Sequence, residues 1–102
     1  MKLWLALTLS ALLGYLFGSF NGAILISRLV KHEDVRTHGS GNAGLTNFLR
    51  SYGGAVTLIV VLIDFGKTVA ACLLATLFLP RDPLLAKIVA GAAVQLGHVF
   101  PV

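Results

Sequence analysis

The sequence predicts an all-α, polytopic transmembrane fold with about three spans, on three observations. Of 102 residues, 57% are hydrophobic and only 12% charged, about half the ~25% charged share of a soluble domain. The apolar residues gather in three long runs separated by short polar stretches. So short a chain cannot hide that much apolar side chain in one small core, so the solvent for most of it is lipid. The mean hydropathy is +0.89.

The first run extends from Leu3 to about Val30, interrupted only by small or uncharged polar residues until Arg28. About 20 residues rising 1.5 Å each cross a bilayer core, so it can span with some tilt. Lys2 imitates the basic start of a secretory leader. Against cleavage, the apolar run is too long, and no small-x-small site closes it. Gly14, Gly18 and Gly22 are spaced four apart and read as a helix–helix packing stripe. Ser19 and Asn21 lie near the inner end of this span. Asn21 needs a partner in lipid, and a supporting place beside a site is one reading.

The second run covers 54–79 and carries Asp64 and Lys67; the third covers 84–102, with Gln95 and His98 late in it. Between them "PRDP" is a turn, two prolines flanking a charged pair. Cys72 stands alone in an apolar run, so no disulfide framework exists; it reads as a small core or lipid-facing residue. The net charge of +4 reads as a topology signal, not as a nucleic-acid surface. Arg28, Lys31, Arg36 and Arg50 cluster around the first connection, against Lys2 before the first span. The positive-inside rule therefore makes the 31–53 loop cytoplasmic and the N-terminus external. Alternation returns the third helix inward, so His98 is expected on the same side as Ser40 and Asn42.

The polar positions carry the chemistry. In "GSGNAG", Gly39, Gly41 and Gly44 allow close backbone approach, and successive N–H groups in such a turn form an anion nest. "LTNFLR" can open a helix whose N-terminus adds unpaired N–H groups. Ser40, Asn42, Thr46 and Asn47 add side-chain donors, and Arg50 offers a bidentate fork. The competing reading is an ordinary turn with a helix cap. No Gly-Lys-Ser/Thr follows, so it is not a Walker loop. Asp64 and Lys67 are at i and i+3, on one helix face. A charge near mid-bilayer costs roughly 3 kcal/mol, so they are either a mutually neutralising pair or the lining of a polar cavity. His98 ends a helix and is either a hydrogen-bonded structural group or a member of the site. No His or Cys pair has metal-ligand spacing, so no metal is expected. The H-x-x-x-x-D and G-x-S-x-G signatures are absent.

Taken together, "GSGNAGLTNFLR", "DFGKT" and "GHVFPV", preceded by "GSFNGAILISRLV", resemble the bacterial membrane acyltransferases that acylate glycerol 3-phosphate using acyl phosphate. The likeness covers essentially the whole chain. It implies transfer of a fatty acyl group to the 1-hydroxyl of glycerol 3-phosphate, giving lysophosphatidic acid and phosphate, in the bacterial inner membrane. It implies no cofactor and no acyl carrier. Carried over, Ser40, Arg50, Lys67 and His98 would be catalytic. Gly39, Gly41, Asn42, Gly44, Thr46 and Asn47 would hold phosphate, with Asn21 and Asp64 supporting. Thr68 stands where the family usually has Gly, and Leu45 where Ala is usual. The family continues past "GHVFPV", so residues 1–102 are expected to be the N-terminal portion of a single acyltransferase domain. The rival readings are a non-enzymatic anion-binding membrane protein, a transporter fragment, and a structural helical hairpin.

Overall fold

The computed structural model describes residues 1–30, 35–37 and 45–101. Among these there are five α-helices and no strand. In order they are α1 (Leu3–Ser19), α2 (Gly22–Val30), a 3-10 turn (Val35–Thr37), α3 (Leu45–Tyr52), α4 (Gly54–Ala75) and α5 (Pro83–Val99). The apolar stretches Leu3–Leu29 and Gly54–Ala75 are long enough to cross a membrane, and Pro83–Val99 is a shorter apolar helix. Leu12, Leu16, Leu58, Leu62, Leu73 and Ile88 are among many large apolar side chains left exposed. That is costly in water and free of cost in lipid.

The boundaries differ from the sequence expectation in three places. The first run is two helices, with a break at Phe20–Asn21. Asn is a strong N-cap, and its Oδ1 accepts from the Ile24 N–H at 3.2 Å, so a new helix starts inside an uninterrupted apolar run. α4 ends at Ala75, and residues 76–78 tighten into i→i+3 bonds, such as Phe78 N–H to the Ala75 carbonyl at 3.0 Å. α5 begins at Pro83, where its missing N–H costs nothing. The Asp82 side chain caps it by accepting from the Leu85 N–H at 3.1 Å.

The chain divides into two compact units, one of Met1–Phe20 with Gly66–Val102, the other of Asn21–Phe65. In the first, α1 and α5 run parallel and touch through small residues. Ala6, Ser10, Gly14 and Gly18 are buried on α1; Ala86, Ala90, Ala93, Val94 and Gly97 are buried on α5. Without bulk between them the two backbones approach closely, and dispersion replaces the hydrophobic drive that lipid does not supply. A Cβ on Gly14 would meet the Ala90 carbonyl, on Gly18 the Val94 carbonyl, and on Gly97 the Tyr15 carbonyl. Toward their starts, Ala6, Ala86 and Ala90 share a core with Ala75 and Leu79.

The second unit holds α2, the 3-10 turn, α3 and residues 54–65 of α4. Its core is Ala23, Ile26, Phe48 and Val60, flanked by Ile24, Tyr52, Val56 and Ile63. The Phe48 and Tyr52 rings pack at 4.8 Å between centroids, tilted by 57°, a favourable aromatic geometry. α3 is amphipathic: Asn47 and Phe48 are buried, Leu49 and Arg50 exposed. It ends at Gly53, whose φ is 91°. The Gly53 N–H closes α3 on the Leu49 carbonyl at 3.0 Å, and its own carbonyl receives the Thr57 N–H of α4. A side chain there would meet nothing within 4 Å, so substitution costs backbone strain alone. Gly53→Ala is expected to destabilise by about 1–2 kcal/mol and Gly53→Asn by less, read as thermal midpoints in detergent.

Candidate functional site

The break at Phe20–Asn21 creates two helix ends inside an apolar stretch, and each end has unpaired backbone groups that lipid cannot satisfy. Two residues of α4, three apart, answer them. In the first unit, the buried Lys67 ammonium donates to the Gly18 carbonyl at 3.0 Å and to the Phe20 carbonyl at 3.1 Å. A cation thus sits at the negative end of α1. In the second unit, Asp64 Oδ1 accepts from the Gly22 N–H at 3.0 Å, placing an anion at the positive start of α2. Asp64 and Lys67 are therefore neither merely a neutralising pair nor only a cavity lining: each completes a helix end.

Lys67 does more than cap. Its Nζ is 3.0 Å from Nδ1 of His98, in the last turn of α5. The register of α1 on α5 brings this about. Gly18 packs on Val94 and Gly97 on Tyr15 and Ser19, which carries the end of α5 to the end of α1. The Tyr15 hydroxyl fixes that register by donating to the Phe100 carbonyl at 2.6 Å. Ser19 turns its hydroxyl back to the Tyr15 carbonyl at 2.9 Å. Tyr15 and the carbonyls of Gly18 and Phe20 were not foreseen. The signal for the carbonyls was the Asn–Gly helix start, which implies a preceding helix end in need of a donor.

The remaining expected residues divide by unit. Asn21, Asn47, Arg50 and Asp64 belong to the second. Asn21 is buried and caps α2, Asn47 is buried on α3, and Arg50 is exposed on the same helix. Thr46 lies in α3, with its side chain outside what the structure describes. Gly39, Ser40, Gly41, Asn42 and Gly44 lie outside the described residues.

The buried lysine three residues after an aspartate, facing the histidine of "GHVFPV", makes the comparison with known families direct. A family model described as glycerol-3-phosphate acyltransferase matches residues 8–102. The chain belongs to the glycerol-3-phosphate acyltransferase family. Among similar proteins of that name, the one from Shouchella clausii is 41% identical over 97 residues, covering 95% of this chain and 47% of the relative. The one from Mycoplasmopsis agalactiae is 41% identical, covering 88% and 42%. The one from Coxiella burnetii is 40% identical over 98 residues, covering 96% and 50%. The chain thus spans about half the length of the curated acyltransferases it matches. No solved structure matches it. With family and apolar helices together, this acyltransferase-family chain is a membrane protein.

Proposed function

We propose that the chain serves acyl transfer from acyl phosphate to the 1-hydroxyl of glycerol 3-phosphate, as part of one membrane acyltransferase domain. The observation that carries this reading is the family match, which runs unbroken through the glycine-rich loop, Asp64–Lys67 and His98. The hydroxyl oxygen bonds to the acyl carbon, the acyl carbon–phosphate oxygen bond breaks, and inorganic phosphate leaves. A phosphate oxygen of the substrates takes the hydroxyl proton. Because acyl phosphate is already activated, the protein's task is to hold two anions together and to stabilise the developing oxyanion.

The backbone at Gly39, Gly41 and Gly44, with Ser40, Asn42, Thr46 and Asn47, is the proposed phosphate cradle. Arg50 adds a forked cation, His98 a further donor that Lys67 positions, and Asn21 and Asp64 support. In this reading the chain lies in a bacterial inner membrane, N-terminus outside and the 31–53 loop cytoplasmic, where a phosphorylated glycerol is available.

The test is phosphate release from a long-chain acyl phosphate by the full chain in lipid nanodiscs, with and without glycerol 3-phosphate. Release that needs glycerol 3-phosphate is expected. Saturable sulfate or phosphate binding without release would replace the enzyme by an anion-binding protein. Arg50→Ala is expected to raise the KM for glycerol 3-phosphate about 10- to 100-fold, the loss of a charge-assisted bond of ~1.5–3 kcal/mol. An unchanged KM would remove Arg50 from the site.

A further inference from the structure

The contact between Lys67 and His98 decides more than proximity. Two carbonyl oxygens already face Lys67 Nζ, from Gly18 and Phe20, at the negative end of α1. Acceptors and a helix C-terminus are surroundings in which a lysine is an ammonium. An ammonium has three N–H donors and no lone pair. At 3.0 Å from it, Nδ1 of His98 can therefore only accept. A doubly protonated ring is excluded on the same ground, since its Nδ1–H would point straight at the ammonium 3.0 Å away. The neutral ring must then carry its proton on Nε2.

We infer that Lys67 is a positioning residue that holds His98 as the Nε2–H tautomer, making the ring a hydrogen-bond donor and depriving it of any base function. Both lone-pair positions are spoken for: Nδ1 by the ammonium, Nε2 by its own proton. The imidazole cannot take the hydroxyl proton of an acceptor substrate. It can donate to an anionic oxygen, and the chemical class that suits it is a phosphate or an acyl oxyanion. The role in catalysis rests on the acyl-transfer reading above; the proton placement does not.

The proton placement is tested on the wild-type chain in nanodiscs, labelled with 15N at lysine and histidine. His98 is told from His32 and His38 by the signals lost in His98→Gln. The expected spectrum has an unprotonated Nδ1, a protonated Nε2, and a 15N–15N cross-peak joining an ammonium nitrogen to that Nδ1. A proton on Nδ1 of that ring, or a cross-peak to its protonated nitrogen, overturns the assignment. Lys67→Arg is expected to keep the Nε2–H form, since it keeps a cationic donor; a proton moved to Nδ1 in that variant would overturn the positioning role. The donor role is tested by phosphate release. His98→Gln sets an amide N–H near the position of Nε2–H and is expected to keep turnover within about 10-fold, whereas His98→Asn, too short to reach it, loses about 100-fold or more. Equal losses in the two variants overturn the donor role. If the wild-type chain releases no phosphate at all, it is the acyl-transfer reading that fails, and the nitrogen spectra still decide the tautomer.

Discussion

Lys67→Met is expected to lower the thermal midpoint and, on the proposed acyl-transfer reading, to cut glycerol-3-phosphate-dependent phosphate release by about 100-fold or more. Two effects oppose each other here. Removing a charge from a membrane segment relieves roughly 2.5–3.5 kcal/mol on insertion scales. That relief is largely shared by folded and unfolded chains, because both keep the segment in the bilayer and both let a lysine find a partner or reach the interface. The other effect belongs to the folded state alone. Methionine fills the space but leaves the Gly18 and Phe20 carbonyls and His98 Nδ1 without the donor that now reaches them. The buried Gly18 carbonyl deprived of its donor costs about 1–3 kcal/mol, and the part-buried Phe20 carbonyl and Nδ1 lose theirs as well, so the loss wins. Lys67→Arg separates charge from shape: it retains a donor for the end of α1 and is expected to recover much of the midpoint. A methionine variant that melts and turns over like the wild type would show that the helix end needs no cation.

The balance between those effects also marks where the sequence is readable. Apolar runs translate into membrane helices because composition alone sets their solvent, and "PRDP" translates into a turn because Asp caps and Pro starts α5. Gly14 and Gly18 were readable as packing positions from their spacing. Hydrophobic periodicity is blind to a break inside a wholly apolar run, so the interruption at Phe20–Asn21 had to be read from Asn21 and Gly22 alone. The partners of Lys67 were hidden for a different reason: two of them are backbone carbonyls, which every residue possesses. Counting spans gives His98 only an expected membrane face, and its distance from Lys67 depends on the parallel register of α1 and α5. That register is set by Gly97 and the Tyr15–Phe100 bond, neither of which carries a pattern of its own. The candidate phosphate loop is the opposite case, legible as a motif yet outside the described residues at Gly39, Ser40, Gly41, Asn42 and Gly44.

Gly18→Leu is expected to prevent the first unit from assembling, whereas Gly66→Ala is expected to stabilise the chain. The contrast isolates packing from backbone preference, since both changes remove a helical glycine from an apolar segment. At Gly18 the first added carbon would overlap the Val94 carbonyl and crowd its Cα. These are backbone atoms of a helix and cannot rotate aside as a side chain would, so α1 and α5 must separate. Overpacking alone costs about 1–3 kcal/mol. Separation adds the loss of the Tyr15–Phe100 bond at 2.6 Å, which joins α1 to the end of α5, and of the Lys67–His98 contact at 3.0 Å, since Lys67 is anchored on the end of α1. At Gly66 a Cβ would meet nothing within 4 Å, and alanine gains about 0.5–1 kcal/mol over glycine in a helix interior. Folded yield and midpoint in detergent measure both. Gly18→Leu should yield little protein with a cooperative transition, and Gly66→Ala a midpoint at or above the wild type. If Gly18→Leu melts normally, the close approach of α1 and α5 is not what holds them, and the route by which Lys67 reaches His98 must be sought in a different packing.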